Sequence, residues 1–126
     1  MSIALFFVSL FAGCVTGSDT PVLRPGATNE ADAYTHFLAG VVLERQGKSE
    51  AAIEEYQKAA DFMPDSYELN WRLLRTYIDS TDYANAEKTC SRLLKVEQEN
   101  VRLWIVMGTI QQELGNQEAA SEAFEK

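Results

Sequence analysis

The residues able to do chemistry are few and scattered. His36 is the only histidine of the chain. Ser, His and Asp all occur, but nothing forms a nucleophile elbow or a glycine loop that cradles phosphate. No group of His, Cys, Asp and Glu has metal-ligand spacing. Glu54 and Glu55 are adjacent carboxylates, and a solvated helix face explains them more simply than an acid/base couple does. The two cysteines, Cys14 and Cys90, do not make a disulfide framework. Cys90 falls where a small apolar side chain is expected to pack inward. These residues give no catalytic constellation and no cofactor, so the chain reads as a non-enzyme. A binding pair is the better candidate. Trp71 and Arg75 lie one helical turn apart, so both can touch one ligand, and a large aromatic beside an arginine is the composition of a binding hot spot.

The elements that must position such a pair are legible from spacing. Gly40 and Gly108 are 68 residues apart, which is twice 34. Each is followed seven residues later by glycine (Gly47, Gly115), twelve later by alanine (Ala52, Ala120), and sixteen later by an aromatic (Tyr56, Phe124). A recurrence at that period is the mark of stacked helix-turn-helix units. Small residues allow two helices to approach closely, and the aromatics fill the space between one hairpin and the next. Gly47 and Gly115 can take positive φ and end the first helix of each pair, and Pro64 stops a second helix. Asp65 and Glu68 have capping-box spacing, and Asn100 can cap a helix starting at Val101. These signals predict helices over 32–46, 50–62, 67–80, 83–96, 101–114 and 117–126. No stretch alternates with period two long enough for a sheet.

Counted from Ala33, these positions resemble the tetratricopeptide repeat family. Gly40, Leu43, Gly47, Ala52, Tyr56, Ala59 and Pro64 fill its signature in residues 33–66. Trp104, Gly108, Gly115, Ala120 and Phe124 do so in 101–126. The middle unit, 67–100, keeps Leu73, Tyr77 and Ala86. It departs with Leu74 in place of a small residue, Thr81 in place of the turn glycine, Cys90 in place of the aromatic and Gln98 in place of the proline. The resemblance implies an all-α fold, a right-handed superhelical stack of about three hairpins over 32–126.

The first thirty residues differ in kind. Ile3–Ala12 is apolar with one serine. It is shorter than the roughly 20 residues a membrane-spanning helix needs and has the length of a signal-peptide core. Phe11-Ala12-Gly13-Cys14 follows and resembles a bacterial lipobox, which implies a signal over 1–13 and a lipidated Cys14. Two departures stand: Phe11 where leucine is usual, and no Lys or Arg before Ile3. An ordinary cleaved signal and an uncleaved anchor are the alternatives. Residues 14–31 then form a tether, rich in Pro, Gly, Ser and Thr, with a root-mean-square span on the order of 20–25 Å. Val15, rather than aspartate, after the cysteine leans by family resemblance to the outer membrane, facing the periplasm.

Net charge is −8. Nucleic-acid binding needs a basic stripe, and none is evident. The same balance opposes adhesion to anionic lipid, so membrane attachment rests on Cys14.

The resemblance also implies a concave groove lined by the first helices. Carried over by position, its lining is Tyr34, Phe37, Val41 and Arg45, with Glu44; then Trp71, Arg75 and Ile78, with Glu68 and Asp79; then Arg102 and Ile105, with Thr109, Gln112 and Glu113. A residue shift of one would instead turn Trp71 between hairpins. Some members clamp acidic chaperone tails with Lys, Asn and Arg; the first-repeat clamp positions here hold Phe37 and Val41, which disfavours that role. The implied function is a lipid-anchored scaffold of the bacterial envelope, taking a partner peptide or helix in its groove. The alternative is a membrane-proximal structural segment of a longer array that binds elsewhere.

Overall fold

The computed structural model describes residues 27–126, and among these every regular element is helical. The order is α1 (Ala27–Arg45), α2 (Ser49–Phe62), α3 (Tyr67–Asp79), α4 (Tyr83–Val96), α5 (Val101–Glu113) and α6 (Gln117–Phe124). Each helix packs on its neighbours in sequence, giving three hairpins, α1–α2, α3–α4 and α5–α6, stacked in chain order. The starts of α2, α4 and α6 at 49, 83 and 117 keep the 34-residue period, as do those of α3 and α5 at 67 and 101. Only α1 departs. It begins at Ala27, so its first five residues lie in the stretch read as tether. Cys14, the apolar run and the rest of that tether fall outside the described residues.

The three turns within hairpins are built alike. The amide of the third turn residue reaches back five places, Lys48 to the Leu43 carbonyl at 3.0 Å, Asp82 to Tyr77 at 2.8 Å and Asn116 to Gln111 at 2.8 Å. That bond requires a left-handed residue just before it. Gly47 (φ 72°) and Gly115 (φ 81°) supply it freely, and Thr81 (φ 60°) supplies it against its β-branched side chain. The helix starts were partly foreseen. Asn100 caps α5, accepting from the amides of Arg102 and Leu103. At α3 the cap is Ser66, accepting from the Leu69 amide, rather than Asp65. Glu68 reaches forward to Arg72 instead of back to the cap.

The core runs through all three hairpins, from Ala52, Tyr56 and Ala59 through Leu69, Leu73 and Leu74 to Leu103 and Ile110. Gly40 and Gly108 are close-approach sites. A Cβ on Gly40 would stand 2.5 Å from the Tyr56 ring, and one on Gly108 would strike the Phe124 ring. Both aromatics thus lie over a glycine of their own hairpin, where spacing had placed them in the gap between one hairpin and the next. The Tyr56 hydroxyl donates to Glu44 at 2.6 Å, and burial, then this carboxylate, pushes its pKa upward. Cys90 is fully buried. Burial pushes its thiol up to about 12, where it is no nucleophile at neutral pH, and its S–H donates weakly to the Leu103 carbonyl. His36 pairs with Glu55 at 2.7 Å across α1 and α2. Lys58, then His36, hold the Glu55 carboxyl below its usual range.

Candidate partner-binding groove

The groove centres on α3. Four apolar side chains make its floor: Trp71, Leu74 and Ile78 at helical spacing on α3, and Val106 from α5. With Glu44, Glu68, Arg72, Arg75 and Asp79 at the rim they enclose a cavity of about 350 Å³. That volume suits one or two partner side chains at the low end of ligand-pocket sizes. Trp71 is half-buried. Its ring meets Tyr67 edge-on at 6.3 Å and packs on the core while its remaining surface lines the cavity. Trp71 thus has one side against the core and another on the cavity.

The rim is a charge network in which one member is held and one is loose. Arg72 bonds Glu44 at 3.2 Å and Glu68 at 3.1 Å and lies over the Phe37 ring, 5.8 Å from its centroid. Burial works against the Arg72 charge, yet the bonds to Glu44 and Glu68 outweigh it and its pKa rises. Arg75 is different. Its Nε is 4.0 Å from Glu44 and 3.9 Å from Asp79, and its side chain is 72% exposed. Those separations exceed hydrogen-bonding range. Among the described residues Arg75 is a cation with no hydrogen-bond acceptor within range of its donors, one turn from Trp71.

Of the expected lining, Trp71, Arg75 and Ile78 come together here, and Arg45 joins Arg75 at an adjoining cavity of about 290 Å³ with Glu44, Arg72 and Asp79. Phe37 and Val41 pack partly buried against the core, and Phe37 tilts on Tyr56 at 5.9 Å. Phe37 thereby supports Arg72 from beneath, and neither Phe37 nor Val41 lines the main cavity. Tyr34, Arg102 and Ile105 are exposed and stand apart from it. Sequence reasoning passed over Arg72, Leu74 and Val106. Arg72 and Val106 share one register position, 34 residues apart, and Arg72 follows Glu68 at salt-bridge spacing; those signals were available. Leu74 was visible only as a departure from a small residue. Among the described residues no group of three His, Cys, Asp or Glu side chains could hold a metal ion.

The sequence model of the tetratricopeptide repeat matches residues 21–126, most of the chain. The chain belongs to the tetratricopeptide repeat family. Solved repeat domains share the fold. The second such domain of Spaghetti (RPAP3), bound to the HSP90 peptide SRMEEVD, is similar with a TM-score of 0.65 at 24% identity, covering 78% of this chain and 91% of that one. The Arabidopsis OM64 domain gives 0.66 at 16%, covering 77% and 80%. The first Spaghetti domain, bound to the same peptide, gives 0.64 at 23%, covering 76% of each. No curated protein matches the chain. In tetratricopeptide repeat terms, the groove described above lies on the first helices of the repeats, with the middle repeat as its centre.

Proposed function

We propose that this repeat module is a lipid-anchored interaction scaffold of the bacterial envelope, which takes a partner peptide or helix against α3. The carrying observation is the apolar floor of Trp71, Leu74, Ile78 and Val106 beside the loosely paired Arg75. Such a floor takes a hydrophobic anchor, and the open guanidinium takes a carboxylate next to it. Two similar domains are bound to a peptide, which supports an extended ligand. The ligand here differs, because Phe37 lies beneath Arg72 where a polar clamp residue would be needed. Attachment rests on the Phe11-Ala12-Gly13-Cys14 motif, since among the described residues no helix is long and apolar enough to cross a membrane.

Capture from envelope extract with the full chain identifies the partner, and titration then tests the site. Trp71→Ala should weaken binding by about 2 kcal/mol or more, and Arg75→Ala should weaken it selectively for acidic ligands. Full binding by Trp71→Ala would remove the groove and favour the structural-segment reading. For the anchor, mass spectrometry of the mature amino terminus should find lipid on Cys14, and Cys14→Ser should release the chain from membranes. An intact Met1, or cleavage elsewhere, rules the anchor out.

A further inference from the structure

The 34-residue register allows the outer face of α1 to be compared with the same face of α3 and α5. Arg72 and Thr76 on α3, and Val106 and Ile110 on α5, occupy one pair of register positions; Arg72 reaches Glu44 of the preceding hairpin and Val106 lines the groove beside α3. Thr76 and Ile110 are 0% and 1% exposed, respectively, and Arg72 and Val106 are half-buried. The corresponding residues of α1 are Leu38 and Val42, which are 60% and 53% exposed. With Tyr34, also exposed at 52%, they form an i, i+4, i+8 stripe along one side of the helix. At Leu38 and Val42, a face that is buried or half-buried in the later hairpins is thus apolar and exposed in the first, and Tyr34, whose counterparts Glu68 and Arg102 are exposed, extends it.

The charges beside this stripe say what fits on it. Helical spacing of about 100° per residue puts one acid, Glu30, at its amino end and one base, Arg45, at its carboxyl end. Both are exposed. A parallel copy of α1 would set Glu30 against Glu30 and Arg45 against Arg45. An antiparallel copy with Leu38 on the twofold axis sets Tyr34 against Val42, Leu38 against Leu38 and Arg45 beside Glu30. It also opposes the helix dipoles. The stripe is self-complementary in size and charge in that orientation alone, as an isologous contact requires.

We propose that a second copy of this chain docks there, α1 against α1, antiparallel across Leu38. The contact is at the outer end of the stack and shares only Arg45 with the residues beside the α3 site.

The test uses the full chain in isolated membranes. A residue on a twofold axis meets its own copy, so Leu38→Cys should give a disulfide-linked dimer on mild oxidation. Its yield should exceed that of Phe124→Cys, at the opposite end of the stack, by tenfold or more. A Cys14→Ser/Leu38→Cys chain, oxidised in solution because it lacks the anchor, leaves only the buried Cys90 beside the new thiol and should give the same dimer. In detergent, sedimentation equilibrium should show a dimer whose dissociation constant rises on the order of a hundredfold in Leu38→Glu, since two leucines leave the contact and two carboxylates enter it. Arg45→Glu should weaken the dimer several-fold and Glu30→Arg/Arg45→Glu should restore it. The exposure of all three sites lets these variants keep their fold, which circular dichroism checks. A wild-type monomer at every concentration overturns the proposal, including one whose stripe is covered by residues 3–12. So does cross-linking that appears only when Leu38→Cys and Phe124→Cys chains are mixed, which would mean head-to-tail stacking, or a failure of the charge reversal to restore the dimer.

Discussion

In the first and third hairpins a glycine on the leading helix lies under an aromatic ring on the returning one, Gly40 under Tyr56 and Gly108 under Phe124. In the middle hairpin the same two register positions hold Leu74 and Cys90, both fully buried. The large and small residues have changed places. What the repeat conserves is the volume between its helices, and the middle hairpin reaches it from the other helix. The exchange has a consequence on the outside, because Leu74 also reaches the floor of the groove beside Trp71, Ile78 and Val106, where a glycine would leave a gap. The hairpin that fits the family pattern least is the one that builds the candidate site.

The strongest way to break this comparison is to empty the exchanged pair. Leu74→Gly should cost about 4 kcal/mol or more, from a buried leucine lost and a glycine placed inside a helix. Cys90→Phe alone should cost about 1–3 kcal/mol by overpacking. The double variant rebuilds the glycine-aromatic arrangement of the flanking hairpins and should recover about half of the summed loss, read as a coupling energy in a double-mutant cycle of urea unfolding. Simple additivity would show that the two sites do not share one space.

Weaker perturbation sharpens the contrast between the two glycine hairpins. Tyr56 is fully buried and tied to Glu44 through its hydroxyl, so its ring cannot yield to a methyl on residue 40. Phe124 is 47% exposed and can turn away. Gly40→Ala should therefore destabilise by about 2 kcal/mol. Gly108→Ala should stay within about 0.5 kcal/mol, because the alanine's helix preference of about 1 kcal/mol offsets a small displacement. Equal losses in thermal unfolding would mean that both rings are equally fixed.

The same pairs show what could be read beforehand. Eleven of the twelve helix boundaries fall within two residues of expectation; these and the left-handed turns at Gly47 and Gly115 followed from punctuation, because glycine at 34-residue spacing and Pro64 act locally, through backbone geometry. The amino end of α1 did not, since residues 27–31 carry the Thr and Asn that also compose linkers. The site was legible only in part. Trp71, Arg75 and Ile78 share a face of one helix, and periodicity reveals that. The floor also needs Val106 from α5, and the state of each arginine depends on which carboxylates stand across from it. Arg72 is held because Glu44 of α1 meets Glu68 of α3 at its head, a contact between hairpins that no spacing within one helix announces. The Leu74 and Cys90 departures were each visible in the sequence; that one offsets the other becomes apparent only when the helices are packed.

A smaller effect than the loss at residue 40 lies at the turn where the middle hairpin again departs from its neighbours. Thr81 holds φ at 60° so that the Asp82 amide can reach the Tyr77 carbonyl, the bond that Lys48 and Asn116 make after glycine. A side chain in the left-handed region costs roughly 1–2 kcal/mol, and β-branching adds to the crowding. Replacement by glycine removes that strain but frees the unfolded chain, which returns roughly 0.5–1 kcal/mol of the gain. Thr81→Gly should therefore stabilise by about 0.5–1 kcal/mol and raise the unfolding midpoint by about 4 °C. The converse change, Gly115→Thr, should lower it by a similar amount, as no atom crowds residue 115 and only its φ of 81° opposes a side chain. Thr81 is exposed and two residues beyond Asp79, so the substitution also probes whether the turn sets the end of α3. Partner affinity should be unchanged in Thr81→Gly. A stabilised chain with altered affinity would show that the strained turn positions Ile78 and Asp79, and an unchanged midpoint would show that the hairpin bears no strain there.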